Sequence, residues 1–450
     1  MTAMADPPLE TFVATLRRSR LFDPADLDRL AGRLPVRTAR EFADALIRTN
    51  DLTRYQADKL LRGRWQGLVL GPYQILVPLG RGGMGTVVYL ARDRRMTEAL
   101  GDSVLLALKV LPNRKAVADP KVLARFRREM EVGRRLNHPN VVRSFANGDL
   151  EDVHFLALEY VPGKTVRHVV GEKGPMPFGE AARVFADVAN GLAHVHERGL
   201  VHRDVKPTNI MVRPDGRAVL LDMGLAFAPD EPLPADPAIA GGRGYVVGTL
   251  DFLAPEQAKN PVAVGPAADL YGLGCSLFYA LTGTLPFPAE GTKQKIRRHR
   301  NDPPPGVANV PSGMAHLVKW LLAKTPADRP GSAVRVRDLL QTWATAPNAP
   351  VTVNVVAEAD AAVLDPGLWD ATPGEELPFA DPVSEANPFA LPDEVNPAVG
   401  KARRAASPRP NNEAMPCAIA QICSATIKGG GLVPLRCRPQ ASSAARRSTV

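Results

Sequence analysis

The apolar positions near the start of the chain follow a helical period. Leu9, Phe12 and Leu16 recur at intervals of three and four residues, which places them on one face of a helix. Asp23, followed by proline, has the form of a helix N-cap, and two further apolar segments follow, the last opened by a threonine. The pattern predicts a small helical module over residues 1–66 that packs or docks and carries no catalytic chemistry.

After a short connector, the period changes to that of strands at Tyr73, and it returns to that of helices from Phe178 onward. Strands first and helices second predict two lobes and an α+β fold class over residues 73–345. The predicted strands are 73–77, 86–90, 104–110, 142–145 and 153–159, and the predicted helices are 124–136, 181–197, 268–281 and 314–322.

The composition changes again after about residue 346. The segment 358–394 is acidic, rich in proline and free of lysine and arginine, whereas the chain from Lys401 onward is basic and rich in serine and alanine. Because neither segment keeps an apolar period, neither can bury enough apolar surface to offset the entropy of ordering. We therefore predict that residues 346–450 form a disordered tail.

Charge and cysteine usage narrow the class of protein. The net charge is +9, but lysine and arginine are spread along the 450 residues without the zinc-ligand spacing or aromatic signature of nucleic-acid readers, so no nucleic-acid partner is expected. The four cysteines form no CxxC pair, which argues against a disulfide framework or a metal site. There is no signal-peptide core and no apolar stretch of the ~20 residues that span a bilayer. These features predict a cytoplasmic protein without a membrane span.

A glycine-rich turn between two predicted strands has the sequence Gly80-Arg81-Gly82-Gly83-Met84-Gly85. Because glycine has no Cβ, the backbone can turn tightly and bring N–H groups close to phosphate oxygens. A dinucleotide-binding fold would continue into a helix, but residues 86–90 have the texture of a strand. That strand would place Val87 over a planar base.

Two further sites carry charged groups in unusual settings. Lys109 lies in an otherwise apolar strand, where a buried ammonium requires an anionic partner. Asp204, Lys206 and Asn209 lie within one eight-residue segment, and Asp222 follows in an Asp-Met-Gly sequence. Phosphoryl transfer needs such a set: a carboxylate for the proton of a hydroxyl, a cation beside the phosphate, and oxygen ligands for a hard metal ion.

The order of glycine-rich loop, lysine, Asp/Asn loop and second Asp resembles the eukaryotic-type (Hanks-type) bacterial serine/threonine protein kinases. The resemblance covers about residues 73–345 and implies a bilobal protein kinase fold, with a β-rich N-lobe and a helical C-lobe. It implies transfer of the γ-phosphate of ATP, with Mg²⁺ or alternatively Mn²⁺, to serine or threonine of protein substrates. The helical module before the kinase domain resembles the arrangement in planctomycete-like kinases.

The resemblance also implies roles for individual residues. Asp204 would be the catalytic base and Lys206 would neutralise the transferred phosphate, while Asn209 and Asp222 would hold the metal ion. Lys109 would bind the α- and β-phosphates. The nucleotide contacts that the resemblance implies are Gly80, Arg81, Gly82, Gly83, Met84, Gly85, Val87, Ala107, Lys109, Glu159, Val161 and Met211.

Other implied contacts are structural. Lys109 would pair with Glu129, whose spacing to the sequence His-Pro-Asn favours it over Glu131. The segment 248–256 resembles the end of the family's activation segment, which forms the platform for a peptide substrate. Within and around that segment, Thr249 would touch the catalytic loop, Glu256 would pair with Arg329, and Asp269 would brace the catalytic loop.

Two departures from the family pattern have consequences. Met223 replaces phenylalanine in the Asp-Phe-Gly motif, and because methionine fills the same apolar gap, we expect activity to survive. The loop 225–247 contains no serine or threonine, and its only hydroxyl belongs to Tyr245. We therefore predict that activity does not depend on serine or threonine phosphorylation within this loop, where acidic residues can supply the negative charge.

Two alternative interpretations stay open at this point. A pseudokinase that serves as a nucleotide-binding scaffold would lack Lys109, Asp204, Asn209 or Asp222, and all four are present. A small-molecule kinase would lack the Ala-Pro-Glu sequence of the peptide platform, which is also present. The sequence leaves open docking of partners through the N-terminal module or the tail.

Overall fold

A computed structural model describes residues 6–33, 36–81, 85–95, 104–150, 153–226, 250–260 and 264–345. The predictions for the tail, for the central part of the glycine-rich turn and for the loop 227–249 lie outside these residues. They include the predicted roles of Gly82, Gly83, Met84 and Thr249.

Four short helices form the N-terminal module, as the apolar pattern predicts. Two of them begin at capping boxes, in which the threonine side chain accepts from the backbone N–H three residues on and the side chain there accepts from the threonine N–H: Thr38 with Glu41, and Thr53 with Gln56. The core of the module is apolar and contains Phe12 packed edge-on against Phe42. The helices are α1 (Leu9–Arg18), α2 (Pro24–Arg33), α3 (Ala39–Arg48) and α4 (Arg54–Leu61).

The N-lobe is an antiparallel sheet of six strands in the order β1-β2-β3-β4-β6-β5. Two helices, α5 (Asn113–Ala118) and α6 (Pro120–Gly133), follow β4, and Asp119 caps α6 through the N–H of Lys121. The strands are β1 (Val69–Leu70), β2 (Tyr73–Arg81), β3 (Val87–Asp93), β4 (Leu105–Pro112), β5 (Ser144–Leu150) and β6 (Val153–Glu159).

One predicted strand is displaced in the structure. The sequence predicts a strand at 142–145, but β5 begins only at Ser144 and continues to Leu150. The reason is that Val142 donates its N–H to Leu220 O, and Val141 forms a parallel bridge with the same residue. Val142 therefore joins the two lobes instead of extending the sheet.

The C-lobe packs its helices around α8 and α10, whose apolar residues belong to one large buried cluster. A small sheet of three strands lies at its upper edge in the order β7-β8-β9. None of the helices in the described ranges has both the length and the apolar character needed to cross a membrane. The strands are β7 (Lys164–Thr165), β8 (Ile210–Val212) and β9 (Ala218–Leu220). The helices are α7 (Val166–Lys173), α8 (Phe178–Glu197), α9 (Pro255–Lys259), α10 (Ala267–Thr282), α11 (Thr292–Asn301), α12 (Ser312–Leu321) and α13 (Ala333–Gln341).

Candidate active site

An ion-pair triad lies between the lobes, with two of its members buried and the third, Asp222, partly exposed. Lys109, on β4, donates to both carboxylate oxygens of Glu129 at 2.7 Å and to Asp222 Oδ1 at 3.3 Å. Glu129 lies on the inner face of α6, whereas the rival Glu131 is exposed and pairs with Arg128. Three separate elements, a strand, a helix and the chain after β9, therefore meet at one ammonium group.

Mutual attraction stabilises the charges of two members of the triad, Lys109 and Asp222. Burial by itself would lower the pKa of Lys109, but Asp222 and Glu129 together raise it above its ordinary value. Burial raises the pKa of Asp222, but Lys109 and the N–H of Gly224 outweigh it and bring the pKa to about 2. Burial raises the pKa of Glu129 to about 7, against the opposing effect of Lys109. Lys109 and Asp222 are thus ionised at neutral pH and present opposite charges to the cleft.

The face of β3 that looks toward Lys109 is not the one predicted. In the antiparallel register Val88 lies opposite Lys109, whereas Val87 lies opposite Val110 and is buried in the outer cluster of the sheet with Tyr89. Directly opposed residues of antiparallel strands share a face. The expectation that Val87 covers the base is therefore not supported, and the β3 valine that shares the face of Lys109 is Val88, which is only partly buried.

The catalytic loop holds Asp204 asymmetrically. Its Oδ2 accepts from Lys206 Nζ at 2.7 Å and from Asn209 Nδ2 at 3.1 Å. Its Oδ1 accepts no hydrogen bond from the part of the chain that the structure describes, although the side chain is only 10% exposed. Lys206 and Asn209 thus fix one carboxylate oxygen, whereas the described residues donate nothing to the other.

The loop is held in shape from below by Asp269, on α10. This carboxylate accepts from the backbone N–H groups of His202 at 2.8 Å and Arg203 at 2.7 Å, as predicted, and also from His196 Nε2 at 2.8 Å. Burial would raise the pKa of Asp269, but His196, His202 and these donors lower it, so the group stays ionised. Gly272 allows the close approach of α10, because a Cβ there would lie 2.9 Å from Val205 O.

Two residues of the site adopt left-handed backbone conformations that side chains disfavour. Arg203 has φ 65° and Asp222 has φ 60°. Such conformations cost about 1 kcal/mol or more each and persist where surrounding contacts enforce them. Asp269 enforces the first through the Arg203 N–H, and Lys109 together with the Gly224 N–H holds the carboxylate of the second.

The oxygen atoms near Asp204 suit a hard divalent cation. Both donor contacts of the Asn209 amide go to Asp204, to its backbone O and to Oδ2, which leaves Asn209 Oδ1 without a donor among the described residues. Asn209 and Asp222 belong to adjacent segments, since Leu221 donates its N–H to Asn209 O. One neutral and one charged oxygen from these two residues match the oxygen ligands that Mg²⁺ prefers.

An apolar cluster lies next to the triad in the chain, since its member Leu221 directly precedes Asp222. Val142, Val161 and Val219 form its buried centre, against which Leu158, Met211 and Leu221 pack. Ala107 lies opposite Leu158 in the sheet. Glu159, the last residue of β6, forms an ion pair with Arg213. Of the predicted base-binding residues, Val161 and Met211 therefore belong to one cluster and Ala107 lies opposite a third member of it, whereas the Glu159 side chain pairs with Arg213.

A bidentate ion pair helps to anchor the segment after residue 250. Arg329 donates to both oxygens of Glu256, at 2.6 and 2.8 Å, and to Ala267 O at 2.7 Å. A bidentate arginine–carboxylate pair of this kind fixes orientation as well as distance. The pair predicted from the sequence is present, and it ties α9 to the start of α10.

Some residues at the site carry no signal in the sequence. Lys115, an exposed residue of α5, lies so close to Gly85 that a Cβ on that glycine would be 2.6 Å from Nζ. His202 connects the catalytic loop to the chain before Asp222, since its Nε2 lies 3.1 Å from Leu221 O. Lys115 resembles any other charged helix residue, so only the fold reveals its place. His202, in contrast, has a signal in the sequence, because it directly precedes Arg203 and Asp204.

Known proteins with similar sequences are bacterial kinases. The chain is 34% identical over 301 residues to serine/threonine-protein kinase PknB of Mycobacterium leprae, a match that covers 65% of this chain and 46% of the relative. It is 34% identical over 280 residues to serine/threonine-protein kinase pkn3 of Myxococcus xanthus, covering 60% and 49%. It is 32% identical over 265 residues to serine/threonine-protein kinase PrkC of Bacillus subtilis, covering 58% and 39%. The chain thus spans less than half the length of each of these curated relatives.

The family assignment rests on the two lobes and the residues between them. Residues 73–343, more than half of the chain, match the model of the protein kinase domain. The matched residues begin at the first residue of β2 and end just after α13. The chain belongs to the protein kinase domain family.

Proposed function

We propose that the protein is a serine/threonine protein kinase that transfers the γ-phosphate of ATP to hydroxyl groups of protein substrates. The observation that carries this proposal is the state of Asp204, whose Oδ2 is held by Lys206 and Asn209 while Oδ1 is open. The names of the bacterial relatives support the choice of serine and threonine. The intact triad of Lys109, Glu129 and Asp222 supports an active enzyme over a nucleotide-binding scaffold.

The residues divide the reaction among them. The substrate hydroxyl oxygen forms a bond to the γ-phosphorus, while the bond between the γ-phosphorus and the oxygen that bridges it to the β-phosphate breaks. ADP leaves with the electron pair of the broken bond. Asp204 Oδ1 orients the hydroxyl and accepts its proton, and Lys206 offsets charge on the phosphoryl oxygens. Lys109 binds the α- and β-phosphates. A divalent ion held by Asn209 and Asp222 would neutralise the phosphate charge.

The test is transfer of labelled γ-phosphate by the purified protein. We expect label on a generic basic protein in the presence of Mg²⁺, recovered after acid hydrolysis as phosphoserine and phosphothreonine, and no label when a chelator removes the metal. Label recovered only as phosphotyrosine would contradict the proposed specificity. A folded protein that binds ATP but transfers no phosphate would be a scaffold instead.

Substrate class and location are also part of the proposal. The Glu256–Arg329 pair supports a protein substrate, because it anchors the segment that resembles the family's peptide platform. A cytoplasmic location rests on the cysteine pattern and stays a prediction, as do the planctomycete-like arrangement and docking through the tail.

The two valines of β3 give a matched pair of variants. Val88→Ala is expected to raise KM for ATP about threefold to tenfold, because apolar contact with the base is lost. Val87→Ala is expected to leave KM within about twofold and to lower the free energy of unfolding by about 1–2 kcal/mol, because Val87 is buried in the outer cluster. Initial rates over a series of ATP concentrations, and urea unfolding, separate the two effects. A raised KM for Val87→Ala together with an unchanged KM for Val88→Ala would instead place Val87 at the nucleotide site.

The activity is also expected to survive phosphatase treatment. The physical reason is the lack of serine and threonine in residues 225–247, so that no phosphoserine or phosphothreonine can be removed from that loop. The measurement compares initial rates before and after treatment, beside a Tyr245→Phe variant. A large drop in either sample would show that a loop phosphate is needed.

A further inference from the structure

The N-terminal module and the kinase N-lobe share a buried connector. Leu68 packs in the apolar core of the module, while Leu70, two residues later, packs in the outer cluster of the sheet. Between them β1 pairs with β2 in antiparallel register, and Leu68 O accepts the N–H of Ile75. The connector is therefore part of both cores.

Two buried side chains of α4 add hydrogen bonds to β2. Thr53 Oγ1 donates to Leu76 O at 2.6 Å, and Gln56 Nε2 donates to Ile75 O at 2.7 Å. Thr53 is 6% exposed and Gln56 is 1% exposed. The same two side chains form the capping box of α4, so every polar atom of the pair has a partner, either in the cap or on the strand. Buried bonds of this kind are costly to lose, because the carbonyl left behind has no water to replace its donor.

These hydrogen bonds reach β2 where its pairing with β3 is irregular. The register with β3 shifts between Ile75 and Val77 and again between Pro78 and Gly80. At each register shift, one residue of β2 makes no ladder hydrogen bonds with β3. Pro78, at the second shift, also has no N–H to donate to the ladder. The first shift is the position at which Thr53 and Gln56 bind the strand. The second lies directly before the glycine-rich turn.

A third residue of α4 packs against both the module and the sheet. Tyr55 packs against the core of the module and against two clusters of the sheet, one of which contains Tyr89. Burial raises the pKa of Tyr89, Tyr55 adds to that rise, and Arg81 of the glycine-rich turn offsets it. The Tyr89 side chain thus lies within electrostatic reach of both the module and the turn.

We propose that the N-terminal module is part of the nucleotide-binding apparatus, and that Thr53, Tyr55 and Gln56 are positioning residues that hold β2, including its last residues Gly80 and Arg81, in place for ATP. The inference rests on the proposed use of ATP. It gives the module a role within the same chain, beyond packing or docking of partners. The three residues touch no reacting atom and act through the strand.

Two threonines provide a matched experiment. Thr53→Val removes both a helix cap and the bond to Leu76 O, whereas Thr38→Val removes an equivalent cap from α3, a helix whose box makes no bond to the sheet among the described residues. Thr53→Val is expected to raise the Kd and KM for ATP by about fivefold, with kcat within about twofold. Thr38→Val is expected to leave all three within about twofold, and Thr53→Ser to restore them.

A second variant isolates the strand contact. Gln56→Glu keeps a capping box of the type that Thr38 forms with Glu41, but it removes the N–H that donates to Ile75 O. It is expected to raise Kd for ATP in the same direction as Thr53→Val. Equal Kd values for wild type, Thr53→Val and Gln56→Glu would overturn the proposal, as would an equal loss in Thr38→Val.

Failure of the proposed function can be told apart from failure of this inference. The Kd is measured with a fluorescent ATP analogue, so it does not depend on phosphate transfer. If the wild type bound no nucleotide, the proposed function would fail, and amide exchange of residues 76–81 would decide the structural part. Faster amide exchange of these residues in Thr53→Val than in Thr38→Val would support the positioning role of Thr53. Equal exchange in the two variants would overturn it.

Discussion

Replacing Asp204 with asparagine is expected to lower kcat by about 10²–10⁴-fold while Kd for ATP stays within about twofold. Asparagine keeps the shape of the side chain and can keep contact with Asn209, but it cannot accept the proton of the substrate hydroxyl. It also removes the negative partner of Lys206, whose Nζ lies 2.7 Å from Asp204 Oδ2. The measurement is labelled phosphate transfer at saturating ATP, with nucleotide binding measured on the same samples.

A matched control for this change is Asp338→Asn. Asp338 also pairs with a cation, Arg337, but its side chain is 57% exposed on α13. An exposed pair contributes little, so kcat is expected to stay within about twofold. If Asp204→Asn kept most of the wild-type rate, Asp204 would not be the catalytic base. The lack of a hydrogen-bond donor to Oδ1 among the described residues would then need another explanation.

Replacing Lys109 with methionine is expected to abolish transfer and to destabilise the fold. Lys109 and Glu129 are 5% and 2% exposed, so the change leaves a carboxylate buried without its partner. Breaking such a pair costs about 3–5 kcal/mol of unfolding free energy, measurable by urea denaturation without nucleotide. Activity is expected to fall by about 10²-fold or more, because a cation facing the phosphates is lost.

The double variant Lys109→Met with Glu129→Leu separates the two effects. Removing both charges is expected to restore unfolding free energy to within about 1–2 kcal/mol of wild type, while activity stays lost. Lys164→Met is the exposed control, since Lys164 and Glu172 form a pair at the surface and the expected cost is under about 1 kcal/mol. A single variant as stable as the wild type would contradict the view that Glu129 depends on Lys109.

The sequence predicts the fold class and the four helices of the module, and the structure confirms both. Periodicity works there because each element buries one face, and because Thr53 is recognisable as a cap. The contacts of Asp269 and of Glu256 with Arg329 are also present as predicted. Motif order could locate these groups because each belongs to a short segment with several chemically distinctive residues.

The remaining features depend on register and on long-range contacts. Whether Val87 or Val88 faces the cleft turns on a shift of one residue, which reverses every side chain in a strand, and both residues are valine. The displaced start of β5 arises from pairing with β9, far away in sequence. Lys115 is near the turn only because of the way α5 follows β4. A local pattern contains no information on any of these.

The hydrogen bonds from α4 to β2 have a consequence for where the domain begins. The family match starts at Tyr73, yet the carbonyls of Ile75 and Leu76 take their donors from residues about twenty positions earlier. A truncated fragment beginning at residue 73 would lack β1, uncover the apolar face that Tyr55 fills and leave both carbonyls without these donors. Such a fragment is expected to aggregate on expression. The boundary of the homologous region and the boundary of the cooperative folding unit therefore differ in this protein.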